Sequence, residues 1–138
     1  MSHLYDEILE QPGVIARLIS EETSSIARIA DHLCQRPIRY ILIAARGTSD
    51  NAAIYGKYLF ASVVRLPVAL AAPSLYTIYH TPPSTGKDAL VVGISQSGES
   101  PDIVAVIDEA RQQGASTLAI TNEPGSPLAR SAEYAIAC

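Results

Sequence analysis

The chain has 138 residues, 48% of them hydrophobic, and carries 10 Lys and Arg against 14 Asp and Glu for a net charge of -4. That length closes one ordinary globular core and hardly two. The acidic balance, the absence of Trp and the single Phe argue against an RNA or single-strand binder, which needs a basic stripe and exposed aromatic platforms.

No run approaches the roughly 18 uninterrupted apolar residues of a membrane span. The opening Met1-Ser2-His3-Leu4-Tyr5-Asp6-Glu7 lacks the basic-then-apolar plan of a signal peptide. A cytoplasmic protein without nucleic-acid or membrane partners is expected. Cys34 and Cys138 have no metal spacing and are read as unpaired thiols of a reducing compartment.

From residue 4 to about 35 the apolar positions fall at helical spacing (Leu4, Ile8, Leu9, Val14, Ile15, Leu18, Ile19, Ile26, Ile29, Leu33). Pro12 suits the first turn of a helix, so a short helix followed by a longer one is predicted, stopped at Arg36-Pro37. Short apolar runs bounded by turn residues then alternate with helical stretches. Strands are predicted at 38–45, 68–72, 89–94, 115–121 and 132–137. Between them lie a helix over 51–64 with Ala53, Ile54, Tyr58, Leu59 and Ala61 on one side, and a short helix within 74–79. A further helix over 102–113 buries Ile103, Val106, Ile107 and Ala110 and ends at Gly114, and one helical turn spans 126–130. Small aliphatic residues suit strands covered on both faces. Alternating strands and helices imply right-handed crossovers. The expected fold is α/β, a three-layer, doubly wound, five-stranded parallel sheet with an N-terminal helical arm, organised as an arm over 1–36 and a domain over 37–138.

Such sheets bind ligands at the carboxyl ends of their strands, near the point where strand order reverses. The third strand runs into Ser95-Gln96-Ser97-Gly98-Glu99-Ser100, and Pro101-Asp102 open a helix. Ser95, Ser97 and Ser100 offer three hydroxyls, and Gly98 lets the backbone turn and expose its N–H groups. Ser100 suits an N-cap and Pro101 a first helical position, which brings the positive helix end beside those hydroxyls. A phosphate fits this loop without Lys or Arg. The plainer alternative is a capped turn, in which Ser and Gly are ordinary residues.

The first strand ends in Arg46-Gly47-Thr48-Ser49-Asp50-Asn51. Thr48 and Ser49 suit sugar hydroxyls, although an N-cap role for Ser49 or Asp50 explains much of the same pattern. Arg46 either points into the site or lies over the surface. Asn122-Glu123-Pro124-Gly125-Ser126-Pro127-Leu128 reads as a turn whose Ser126 caps a helix begun by Pro127. His3, His32 and His80 stand at no ligand or triad spacing. Glu99 is the one carboxylate inside the loop, a base or a tuning group, while Asp102 and Glu109 read as helix-dipole and surface residues. No metal-site spacing, Walker loop or Gly-x-Gly-x-x-Gly occurs, and no metal or cofactor is expected.

These residues resemble the sugar isomerase (SIS) domain, a flavodoxin-like fold that binds phosphosugars, from about residue 7 to residue 138. Ser95-Gln96-Ser97-Gly98-Glu99-Ser100 is similar to the family's phosphate loop, Gly47-Thr48-Ser49 to its first-loop motif, and Asn122 to Leu128 to its Asn-x-x-x-Ser-x-Leu segment. Glu7-Ile8-Leu9-Glu10-Gln11-Pro12 further resembles the approach to the isomerase half of the glucosamine-6-phosphate synthases (glutamine:fructose-6-phosphate aminotransferases). The resemblance implies that Ser95, Gln96, Ser97 and Ser100 bind phosphate, and that Thr48, with Gly47 and Ser49 beside it, contacts the sugar of a hexose 6-phosphate such as fructose 6-phosphate or glucosamine 6-phosphate. Arg46 stands where those synthases usually have cysteine, as in related stand-alone phosphosugar aminotransferases, isomerases and deaminases.

The start at Met1-Ser2 leaves no room for a glutaminase domain, so glutamine hydrolysis is not expected. Tyr134-Ala135-Ile136-Ala137-Cys138 closes the chain on an apolar strand, which suggests a piece of a longer protein. The resemblance implies that the acid-base glutamate, the lysine and the ring-opening histidine come from a second such domain or from residues beyond Cys138. The expected function is therefore the phosphosugar-binding N-terminal part of a ketose/aldose isomerase or aminotransferase, with no catalytic residue of its own. The alternatives are a non-catalytic phosphosugar sensor and an FMN module, whose phosphate loop would normally follow the first strand. The arm from Leu4 to Leu33 carries more apolar surface than one domain can cover, so it is expected to pack on the domain or on a partner subunit, most simply in a homodimer.

Overall fold

Successive residues of a strand face opposite sides of a sheet, and the strands here are apolar on both. In the structure, a computed structural model that describes residues 3–138, they form one five-stranded sheet of β1 (Tyr40–Ala44), β2 (Val68–Leu70), β3 (Ala89–Ile94), β4 (Ser116–Thr121) and β5 (Tyr134–Ala137). All neighbours are parallel and the order is β2-β1-β3-β4-β5. The expected doubly wound α/β fold is the one observed. Met1 and Ser2, on which the expectation about the N-terminus partly rests, lie outside the described residues, as does the side chain of His3.

One face of the sheet presents Ile41, Ile43, Leu90, Val92 and Leu118. It is covered by α2 (Ser49–Val63) and by the last turns of α1 (His3–Cys34), through Ala53, Phe60, Ile29 and Leu33. The other face presents Ala44, Ala89, Val91 and Ala119 to Tyr76 of α3 (Ser74–Thr77), to Ile103, Val106, Ile107 and Ala110 of α4 (Pro101–Gln112), and to Leu128 of α5 (Pro127–Ser131). Gly93 of β3 is a point of close approach: a Cβ there would stand 2.9 Å from Ile107 Cγ1 and 3.0 Å from Leu128 Cδ1. The missing side chain lets α4 and α5 both settle on the end of β3, beside the loop that follows it.

Two local expectations change. The arm is a single helix, His3–Cys34, that runs through Pro12 without a break. A proline inside a helix strips its i-4 carbonyl of a partner, but residues 4–17 are exposed throughout, so water can take that place. The α2 stripe also turns from its expected side. Ala53 is buried, whereas Ile54, Tyr58 and Leu59 are exposed. The inward line runs from buried Ala53 to half-buried Gly56 and Phe60, with Ile43 Cδ1 3.5 Å from where a Gly56 Cβ would sit.

The arm meets the domain along its second half, where Leu18 and Glu22 line a cleft with Ala137 and Cys138. Ile29 and Leu33 join the core, and Arg36 pairs with Glu133 just before β5. Leu4, Ile8, Leu9, Ile15 and Ile19 remain exposed. Cys34 and Cys138 are both free thiols.

Core placement and surface placement separate cleanly in stability. Ile107→Ala, which empties a fully buried site between β3 and α4, is expected to lose about 2–5 kcal/mol in urea unfolding. Ile54→Ala on α2 is expected to stay within about 0.5 kcal/mol of the parent. Equal losses would contradict the packing of α2 described above.

Candidate functional site

Strand order reverses between β1 and β3. The crossover through α2 leads outward to β2, and the crossover through α4 leads the other way to β4. The two loops leaving these central strands therefore part from one another at their carboxyl ends, the place where doubly wound sheets accept ligands. They are the loops that hold Arg46 to Thr48 and Ser95 to Ser100.

The second of these loops is built from its own hydroxyls. Ser95 is buried, and its Oγ accepts a hydrogen bond from the Gly98 N–H at 3.2 Å and lies 3.3 Å from Ser100 Oγ. Ser97 is exposed, and its Oγ accepts from the Glu99 N–H at 3.3 Å. The Gln96 carbonyl accepts from the Asn122 N–H and from Thr121 Oγ1, both at 3.1 Å, while its side chain stays exposed. Ser100 is the N-cap of α4, with extended backbone, and Pro101 follows it at the first helical position. The Ser100 hydroxyl makes no capping bond to α4; it faces Ser95 instead. The Ser100 carbonyl takes the Ile103 and Val104 N–H groups, and an anion suits the positive helix end that remains.

A third loop, between β4 and α5, braces this turn from beneath. Gly98 adopts φ +64°, and a Cβ on it would collide with Ser126 Cβ and Oγ and stand 2.9 Å from Thr121 Oγ1. The Gly98 carbonyl accepts from the Leu128 N–H at 3.0 Å. Ser126 is buried and caps α5 by accepting from the Ala129 N–H at 3.3 Å, as its sequence suggested.

On the first loop, Gly47 takes φ +58° with open space around it. Its carbonyl accepts from the Asp50 N–H, and that of Thr48 from the Asn51 N–H, each at 3.1 Å. Thr48 occupies the N-cap of α2, one residue before the expected Ser49, and its hydroxyl makes no capping bond. Gly47 and Thr48 are exposed and Ser49 is half-buried. Six of the seven expected contact residues thus belong to loops that leave adjacent strands, and Ser49 opens α2 directly after one of them.

Two charged residues form an unexpected pair. Arg46 lies largely over the surface, and its Nη1 donates to Asp102 Oδ2 at 2.9 Å. Asp102, expected at the surface, has only 14% of its side chain exposed against 70% for Arg46, and its Oδ1 is buried without a partner among the described residues. Sequence reasoning missed this pair because its members are 56 positions apart and each has an ordinary local explanation. It also missed the bracing role of Thr121, although a threonine ending a buried strand was a signal for it. Glu99 is exposed in the loop. His32 packs its ring 6.1 Å from that of Tyr134 on the α1–β5 side, and His80 follows α3. Among the described residues no three His, Cys, Asp or Glu side chains gather as a metal site would require, and no helix is long and apolar enough to cross a membrane. Tyr40 and Tyr76, whose hydroxyls are held above their ordinary titration range chiefly by burial, lie outside these loops.

Comparison with known proteins gives these loops a context. The family described as the SIS domain matches residues 35–138. A glutamine–fructose-6-phosphate aminotransferase (isomerizing) of Halobacterium salinarum is 34% identical over 97% of this chain, which spans 23% of that protein's length. Among solved structures, a protein of Silicibacter pomeroyi assigned by inference as a phosphosugar isomerase superposes with a TM-score of 0.94 at 35% identity, over 99% of this chain and 42% of the other. The C-terminal domain of a glucosamine-fructose-6-phosphate aminotransferase from Francisella tularensis gives 0.65 at 29% identity, over 73% of this chain and 28% of the other.

The brace under Gly98 has a measurable consequence. Gly98→Ala adds strain at a positive φ and a clash with Ser126, so a loss of about 1–3 kcal/mol in thermal unfolding is expected. Ser126→Gly, which clears most of the space, should recover part of that loss in the double variant. A Gly98→Ala protein as stable as the parent would show that the loop is not held against Ser126.

Proposed function

This chain belongs to the SIS domain family, and we propose that it is the phosphosugar-binding part of a cytoplasmic ketose/aldose phosphosugar isomerase or aminotransferase. The observation that carries this is the Ser95–Ser100 loop. It sets three hydroxyls around a positive-φ glycine at the start of α4, with the Ser100 side chain not consumed in capping.

In this role the phosphate of a hexose 6-phosphate sits at the α4 N-terminus. Ser97 and Ser100 donate their hydroxyl protons to its oxygens and the exposed Gln96 amide closes over it. Ser95, already engaged with Gly98 and Ser100, holds the loop in shape and shares its proton with the phosphate. Thr48, with the backbone at Gly47 and Ser49, receives sugar hydroxyls from the neighbouring strand end. Neutral donors to a charged acceptor each contribute about 1.5–3 kcal/mol, and the helix end adds about 0.3–1 kcal/mol. The loops therefore supply anchoring. The proton transfers of aldose–ketose interconversion, through an enediol or enediolamine, fall to groups outside this chain, and a second domain of the same kind is the simplest source. Residues 1–36 serve as an arm and 37–138 as the binding domain. The arm's apolar residues, among them Leu9, Ile15 and Ile19, are exposed along it and are taken to meet a second copy in a homodimer.

Two measurements test this. Titration calorimetry should give heat with fructose 6-phosphate or glucosamine 6-phosphate at a dissociation constant on the order of millimolar, none with fructose, and about a tenfold loss of affinity in Ser97→Ala or Ser100→Ala. Silence from both phosphosugars with the fold intact would remove the proposal, and a yellow, flavin-bearing preparation would favour an FMN module instead. Gel filtration should give the mass of two subunits, reduced to one by Ile15→Asp on the arm; a parent eluting as one subunit contradicts the dimer.

A further inference from the structure

The phosphate-loop segment carries acid and no base. From Ser95 to Asp102 the charged residues are Glu99 and Asp102, and Asp102 stands in the first turn of the helix whose positive end faces the site. A carboxylate there competes with any incoming anion for the same helix end and repels it. Glu99 is exposed, where water screens its charge, but Asp102 is largely buried and screened far less. Its Oδ1 has no partner among the described residues, and its Oδ2 is met by Arg46, which reaches across from the β1–α2 loop at 2.9 Å.

We infer that Arg46 is a positioning residue that masks the charge of Asp102, so that a phosphate dianion can take the α4 N-terminus. The inference rests on the phosphosugar reading of the site and adds what admits the anion to it. Arg46 does not bind phosphate in this scheme. It cancels a fixed negative charge beside the place where phosphate sits. Most of the guanidinium is solvent-exposed, so the pair contributes little to stability, and its worth is realised when an anion arrives.

The test is a double-substitution cycle on the intact chain, with fructose 6-phosphate titrated calorimetrically and inorganic phosphate followed by the rise in melting temperature. Arg46→Ala should weaken fructose 6-phosphate about five- to tenfold, with a melting temperature close to the parent's, and this deficit should shrink as KCl is raised. Arg46→Lys should stay within about threefold of the parent, since it keeps the charge. Removing the uncovered charge as well, in Arg46→Ala/Asp102→Asn, should restore affinity to within about threefold of the parent, and Arg46→Ala/Asp102→Ala gives the same answer should the amide rearrange the helix start. A structural tie or a direct phosphate contact predicts that the double variants stay as weak as Arg46→Ala, and that result overturns the inference, as does an Arg46→Ala protein that binds like the parent. A parent that responds to neither fructose 6-phosphate nor phosphate overturns the phosphosugar reading and this inference together. A parent that answers to phosphate alone, with the same pattern across the variants, removes the sugar and supports the masking.

Discussion

The site depends on β3 being buried on both faces. Ala89 to Val92 are between 0% and 6% exposed, because Leu90 and Val92 meet the α1–α2 side while Ala89 and Val91 meet α3, α4 and α5. A strand enclosed in this way leaves its polar backbone only the neighbouring strands as partners, and it emerges into water at its carboxyl end alone. That end is where the sequence changes from Val-Val-Gly-Ile to Ser-Gln-Ser-Gly-Glu-Ser. Gly93 completes the transition. By withholding a side chain it lets Ile107 of α4 and Leu128 of α5 approach, so the helix that follows the Ser95–Ser100 loop and the helix that braces that loop are both set by one strand.

The same arrangement bears on how an acidic chain could present the proposed anion site. Fixed hydroxyls and the positive end of a helix need no reorganisation to face a phosphate, and they carry no net charge that would bind anions indiscriminately. What such a site must control is the negative charge already near it. The structure leaves Glu99 to solvent and couples Asp102 to Arg46, so the local field is adjusted by pairing rather than by adding cations to the loop itself.

Much of this was legible in the residues. β3 and the buried face of α4 follow from unbroken runs and 3.6-residue spacing, and the starts of α4 and α5 follow from Ser-Pro at both, although only Ser126 makes a side-chain cap. These signals are local and match the packing that tertiary structure then demands. The misreadings share a cause. Pro12 ends a helix when its carbonyl partner is buried, and here that partner lies on an exposed arm. Ile54, Tyr58 and Leu59 look like a core stripe, but close approach to Ile43 selects the smaller Ala53 and Gly56. The N-cap position of α2 falls on Thr48 rather than on Ser49 or Asp50, because the turn at Gly47 sets where the helix begins, and the Thr48 hydroxyl makes no capping bond. The contact between Arg46 and Asp102 joins two loops through the β1–β3 pairing, and no spacing rule within one element can reveal it.

On the proposed function, the division of labour within a hexose 6-phosphate follows from where its charge lies. The phosphate is at C6 and the carbons that exchange aldose for ketose are C1 and C2, at the other end of the molecule. A site that grips the phosphate gains binding energy remote from the reacting atoms, and that energy accelerates a reaction only if it holds the far end against acid and base groups. Gly47, Thr48 and Gln96 are exposed, so the far end of a bound sugar extends over an open surface rather than into the domain. The chemistry must then be brought to that surface by additional protein. In such an assembly the fixed register between the Thr48 and Ser100 loops, maintained by the parallel pairing of Ala44 with Gly93 at the ends of their strands, determines which carbon is presented to the incoming groups.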